Sequence, residues 1–232
     1  MSSTVVLITG ASRGVGRGLL ERYLARPNYT VIAANRNPDD TNSNSLQDFP
    51  KGENTSLIVV KIDSTVKTDA AEAVKHLEDQ GIDHIDIIIA NAAISEIYPK
   101  VAVLNTDDMQ KHVVVNNFAV IWLFQATIPL LRKAAQPRFI GIGSSAGILT
   151  AALHYHCKKI HQEEPWLISF PIDPGWVQTD MGENAASLIG QEHAPTSIEE
   201  SVGGLIKVFD VATRETHSGK LWEFTGKEIE AW

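Results

Sequence analysis

The chain has 232 residues, with 28 acidic against 20 basic side chains and a formal charge of −8. That length suits one domain with a large core, and an acidic balance without a basic run argues against nucleic acid or an anionic membrane as the main partner. Cys157 is the single cysteine, which excludes an internal disulfide and points to a reducing compartment, so a cytoplasmic protein is expected.

The opening "MSSTVVLITG" has no charged segment and too few apolar residues for a signal peptide or a membrane span. It reads instead as a first strand, Thr4–Thr9, followed by "TGASRGVGRG" and a helix over Val15–Ala25. Gly10, Gly14 and Gly16 fall where a phosphate needs close backbone approach at a helix N-terminus, so the turn predicts nucleotide binding. The second strand, Thr30–Ala34, runs into "NRN". An acidic side chain usually holds a ribose 2′-hydroxyl there, but this chain has Asn35 and Arg36, with Arg13 in the glycine turn. Two guanidinium groups suit a 2′-phosphate, which favours NADP over NAD.

The polar stretch 37–54 predicts a surface loop with at most one short helix. Strands follow at Leu57–Ile62, Ile85–Ala90, Arg138–Gly143, Leu167–Ile172 and Leu221–Thr225. Helices alternate with them at Val66–Gln80, Thr106–Lys133, Ala151–Glu164 and Ser197–Ala212. Consecutive apolar residues in several strands predict a sheet covered on both faces. The alternation predicts an α/β fold with a doubly wound parallel sheet, in a single domain over residues 1–232. Cys157 reads as a packed thiol. His154, His156 and His161 share no helix face that would gather a metal, so no metal site is expected.

Taken in order, "TGASRGVG", "KIDS", "ANAA", "VNN", "GSSAG" and "DPGWVQTDMG" resemble the short-chain dehydrogenase/reductase family over almost the whole chain. Within it the chain is similar to small carbonyl-reductase-like members. The resemblance implies an NADPH-dependent oxidoreductase acting on a small-molecule carbonyl substrate, aromatic or polyketide-like. It implies a cofactor site made of Gly10, Ser12, Arg13, Gly14, Val15, Gly16, Arg36, Asp63, Ser64, Asn91, Ala92, Ala93, Pro174, Gly175, Val177 and Thr179. Ser144 matches the catalytic serine, with Ser145 as fallback, and Asn116 matches a helix asparagine that supports a proton relay. Residues 180–197 match a variable substrate lid, read as a loop with little regular structure, and the long apolar fourth helix implies a homodimer.

The family also uses a tyrosine and a lysine one helical turn apart, the lysine lowering the tyrosine pKa so that it can protonate the carbonyl oxygen. Tyr155 and Lys159 have that spacing. Geometry is against them. A six-residue strand is about 20 Å long, and about thirteen helical residues must return that distance before Leu167. Ala151–Glu163 is consumed in doing so, which puts Tyr155 roughly 6 Å and Lys159 roughly 12 Å below the mouth. Anchoring the resemblance on "AALHY" instead puts Ala146 in the tyrosine slot and Thr150 in the lysine slot. An active-site segment is then missing between about Gly147 and Ala151. Either it belongs to the protein and is absent here, or it is deleted, or other groups such as Tyr98 replace it. The first alternative predicts a break beside Thr150, wider than the ordinary Cα spacing of about 3.8 Å, with a helix starting near Ala151.

Overall fold

The computed structural model describes residues 3–96, 99–144 and 148–230. Eight strands form one sheet: β1 (Thr4–Thr9), β2 (Tyr29–Asn35), β3 (Ser56–Lys61), β4 (Ile87–Ala90), β5 (Arg138–Ile142), β6 (Ile168–Asp173), β7 (Leu221–Glu223) and β8 (Glu228–Ile229). Their order is β3-β2-β1-β4-β5-β6-β7-β8. All neighbouring pairs are parallel except β7 with β8. The doubly wound parallel sheet is as expected, with one addition. The last strand stops at Glu223, where a turn at Gly226 (φ +85°) folds two further residues back as an antiparallel edge.

Between the strands lie α1 (Gly14–Leu24), α2 (Thr41–Asn44), α3 (Asp69–Asp79), α4 (Thr106–Val113), α5 (Ala119–Leu131), α6 (Ile148–Glu163), α7 (Asp180–Leu188) and α8 (Ile198–Val211). Side chains alternate along each strand, so the sheet sorts its apolar residues into two layers. One holds Val6, Ile8, Val31, Ile140 and Phe170 under α1 and α8; the other holds Leu7, Ile32, Ile88 and Phe139 under α3, α5 and α6. Each fully buried aliphatic side chain contributes roughly 1.5–3 kcal/mol, which is why the strands read as near-continuous apolar runs.

Three departures from the expectations have physical causes. The single fourth helix is interrupted by a π-helical turn over Val114–Phe118, where the Ala119 N–H bonds the Val114 carbonyl five residues back. Lid residues 180–188 are helical rather than loop, because Thr179 caps Gly182 N–H and Asp180 and Glu183 lie in the first turn. The expected break beside Thr150 is not there. Thr150 and Ala151 lie inside α6, which starts at Ile148, and the Ala- and Leu-containing stretch at the junction propagates as ordinary helix. The segment Thr106–Leu131 is long and apolar enough to cross a membrane by composition. Here Val120, Leu123, Leu130 and Leu131 pack it on the sheet.

Candidate functional site

The strand order reverses between β1 and β4, so the carboxyl ends of β1, β3 and β4 open a crevice at the switch point. Thr9, Ser64, Ala90, Ala92 and Val115 line a small cleft there. The glycine turn forms its rim. Gly10 and Gly14 have φ of +65° and +55°, which side chains disfavour. A Cβ on Gly16 would lie 2.3 Å from the Gly10 carbonyl oxygen, and one on Gly10 would lie 3.0 Å from Ala92 Cα. The turn is therefore a backbone cradle with no room for side chains. Side-chain oxygens cap α4, α7 and α8 (Asn105, Thr179 and Ser197), but Arg13 makes no such cap on α1, and no acidic residue lies in its first turn. First-turn N–H groups without a side-chain cap, together with the helix dipole, fit an anionic diphosphate.

Hydrogen bonds hold the cradle from two sides. Thr9 Oγ1 accepts from the N–H groups of Asn91 and Ala92, both at 3.0 Å, and the Asn91 amide donates to the carbonyls of Thr9 and Gly10. On the other side the buried Asn35 accepts from Ala11 N–H at 2.9 Å and donates to Ser43 Oγ. Asn35 is thus a structural tie between the glycine turn and α2 at Ser43, a role that sequence reasoning missed. Its signal was a polar residue ending a buried apolar strand. Arg17 was also missed: it reaches the carbonyls of Ser12 and Asn42 and covers the Phe49 ring.

Arg36 is exposed at the end of β2, and its charge helps hold the Asp40 and Asp63 carboxyls below their ordinary range. Burial pushes Asp63 the other way, but bonds from Thr65 N–H and Oγ outweigh it. Arg13 turns elsewhere, pairing with Asp180 of α7 at 3.3 Å. Val15 packs on the core below the turn. Beyond β6, Gly175 N–H bonds Asp173 Oδ1, and Ser201 donates to the Pro174 carbonyl. Val177 bridges to Thr196, which ties down the far end of the lid.

The chemistry end is less complete. Asn116 sits in the π-helical turn and clamps Ile94 in both directions, accepting from its N–H at 2.9 Å and donating to its carbonyl at 2.8 Å. The segment after β4 that carries Ala93 and Ile94 is thereby fixed against the helix pair α4 and α5. Ser144 follows β5, with the preceding Gly143 N–H bonded to the Ile172 carbonyl. Ser145, Ala146, Gly147 and Tyr98 lie outside the described residues.

Leu153 fixes the register of α6 by packing over Gly141, next to the last residue of β5. Because α6 runs back along the sheet, Tyr155 lies about 3 Å and Lys159 about 9 Å below that level. Tyr155 is 59% exposed, with its ring against His156. Lys159 meets Gln162 and Glu163, and two residues later His161 meets Ser218, which holds Ser169 N–H near the start of β6. Lys159 therefore lies toward the amino ends of the strands. Burial pushes the Cys157 thiol up to about 12, against weaker opposing bonds to Ser169 and Gly141, so it is no nucleophile. No group of metal-ligating side chains occurs among the described residues.

A parallel sheet with an uncapped glycine turn at its switch point defines a dinucleotide-binding oxidoreductase fold. The chain belongs to the short chain dehydrogenase family, whose model matches residues 4–159, and it is an oxidoreductase of that family. It is 44% identical to norsolorinic acid ketoreductase nor1 of Dothistroma septosporum, covering 94% of this chain and 88% of the relative. It is 41% identical to norsolorinic acid ketoreductase stcE of Emericella nidulans, over 99% and 94%. Among solved structures, the NADPH-bound carbonyl reductase from chicken fatty liver superposes with a TM-score of 0.86 at 26% identity, covering 100% of this chain and 95% of that one.

The alignment lengths carry further information. Against stcE, 247 aligned positions are met by 99% of 232 residues, about 230, so about 17 positions have no counterpart here. Against nor1, 237 positions are met by 94% of 232, about 218, which leaves about 19. Both relatives therefore carry about that many residues in total that have no counterpart in this chain.

Proposed function

We propose that the chain binds NADP(H) and acts as a ketoreductase on a small carbonyl compound of aromatic or polyketide type. The observation that carries this reading is the closed glycine cradle on an uncapped helix, in a chain 44% identical to a norsolorinic acid ketoreductase. Gly10, Ser12, Gly14, Val15 and Gly16 hold the diphosphate in this reading, and Arg13 and Arg36 the 2′-phosphate. Asp63 and Ser64 lie beside the adenosine; Asn91, Ala92, Ala93, Pro174, Gly175, Val177 and Thr179 wall the remainder. When bound, the cofactor supplies hydride to a carbonyl carbon. The protein's part is to orient the carbonyl, by Ser144, to hold the Ile94 segment through Asn116, and to deliver a proton to the oxygen. A lone buried thiol fits a cytoplasmic location. Exposed Phe118 and Tyr155, on neighbouring parts of the α5–α6 face, form the homodimer contact in this reading.

A second reading is cofactor binding without turnover. It is favoured by the placement of Tyr155 and Lys159 below the mouth together with the missing 17 to 19 positions. One experiment separates the two: NADPH titration and NADPH oxidation over a panel of aromatic ketones, on the same preparation. Binding with turnover supports the ketoreductase. Binding without turnover supports the second reading. No binding removes both.

A further inference from the structure

The lid helix α7 is seated on the glycine turn, and its first residue takes a group that the cofactor needs. A Cβ on Gly14 would lie 3.2 Å from Thr179 Cγ2, so the cap of α7 touches the turn directly. Trp176 Nε1 donates to the Gly182 carbonyl and holds the first turn of α7 in that position. Asp180 then reaches Arg13 at 3.3 Å, both side chains largely in solvent (79% and 71% exposed). Glu183, the next acid on α7, is engaged with His193 and Ala194 N–H, so Asp180 is the lid carboxylate that meets the turn.

We infer that Asp180 is a determinant of cofactor choice, competing with the 2′-phosphate of NADP(H) for Arg13. The inference rests on the reading that Arg13 serves that phosphate. Arg13 carries a single positive charge, so a doubly charged phosphate arriving there competes with the Asp180 carboxylate for it. The displaced carboxylate then stands near a doubly charged group of the same sign. NADPH binding therefore carries a penalty that NADH, without the phosphate, does not. The same exchange frees the N-terminal turn of α7 from the glycine loop, which links cofactor identity to the seating of the lid. An exposed pair is weakly coupled, so the effect is moderate and falls as salt screens it.

The test is equilibrium titration of NADPH and NADH against the full chain, wild type and Asp180→Asn, alone and combined with Arg13→Ala. Asp180→Asn should tighten NADPH about two- to fivefold and leave NADH unchanged. With Ala at position 13, the same substitution should bring no gain. Unchanged or weaker NADPH binding in Asp180→Asn overturns the inference, as does an equal gain for NADH or a gain that persists without Arg13. The wild-type column judges the underlying reading separately: equal affinities for NADPH and NADH there remove the 2′-phosphate site itself. A melting curve for Asp180→Asn within a degree or so of wild type excludes unfolding as the cause of any loss.

Discussion

Around the β1–α1 turn every close approach is closed by a named contact. Asn91 bonds Thr9 and Gly10, Asn35 bonds Ala11, and the glycines leave no space for a Cβ. Around the β5–α6 connection the accounting differs. α6 keeps its seat through Leu153 and Cys157 in the core, while the residues with the spacing of a proton-donating pair face solvent and the amino ends of the strands. α1 and α6 are each anchored by a buried stripe and not by the residues with functional spacing. Cofactor binding and proton delivery are thus separable in this architecture, and the loss of one places no strain on the other.

The largest effect that sharpens this contrast is expected at Gly16. In Gly16→Val the new Cβ meets the Gly10 carbonyl at 2.3 Å and the Asn91 amide at 2.5 Å. Backbone must move, costing about 1–3 kcal/mol of stability and closing the cradle to a diphosphate. Calorimetric melting and NADPH titration check both; a variant that still binds NADPH like wild type would break the assignment of the cradle. Next comes Arg36→Asp. Loss of charge-assisted bonds at about 1.5–3 kcal/mol lowers NADPH affinity about ten- to hundredfold and brings NADH to parity or above. Competitive titration of the two cofactors reads this directly.

The same contrast explains what was legible in the sequence. β1 was readable to the residue because its burial makes Val5, Val6, Leu7 and Ile8 all apolar between Thr4 and Thr9, and the glycine turn was readable because sterics leave no other residue type at its glycine positions. The π-helical turn at Val114–Phe118 was hidden, since an extra backbone residue in a helix changes no side-chain pattern beyond a slip of one position. β8 has two residues and pairs only because Gly226 turns the chain, so it carries no periodic signal. The lid helix was missed for a local reason. Thr179 and Asp180 are a start signal, but they sit inside a stretch valued for its resemblance and read as loop. Asn35 was judged by the partner it lacks for a ribose, whereas its buried amide is committed to Ala11 and Ser43.

A smaller effect appears with pH. Burial holds His154 and His156 below the ordinary histidine range, with Asp173 partly opposing for His154, whose Nε2 has no partner among the described residues. Burial likewise lowers His217, stacked on Trp222. Above about pH 6.5 these groups are neutral in both states; as pH falls through that value the unfolded chain takes up protons first, so stability falls. His84 has the opposite sign. Its bond to Asp83, with Asp86 beside it, raises it, so its contribution is full below about pH 6.5 and is lost as pH rises through the folded value. Melting temperature should therefore drop from pH 7 to 5.5, and His84→Gln should steepen the drop. A melting temperature that rises on acidification would contradict the burial of His154 and His156.

The smallest expected effect is the most telling about the β5–α6 region. A tyrosine that protonates the carbonyl oxygen contributes about 10²- to 10⁴-fold as a general acid, and the lysine that tunes it is needed for that gain. Tyr155 is 59% exposed and two residues below the level of Gly141, and Lys159 is paired with Gln162 and Glu163 a turn further down. Tyr155 is thus turned to solvent and Lys159 is engaged on its own helix, while Leu153 and Cys157, 5% and 0% exposed, hold α6 in that register. Tyr155→Phe and Lys159→Met should therefore leave NADPH affinity and any ketone turnover within about twofold of wild type, far from the general-acid range. The Lys159 change removes only an exposed i,i+4 pair with Glu163, worth about 0.3–0.5 kcal/mol. Steady-state NADPH oxidation with each variant decides the matter. A hundredfold loss of turnover in Tyr155→Phe, with binding intact, would place the proton donor on α6 after all.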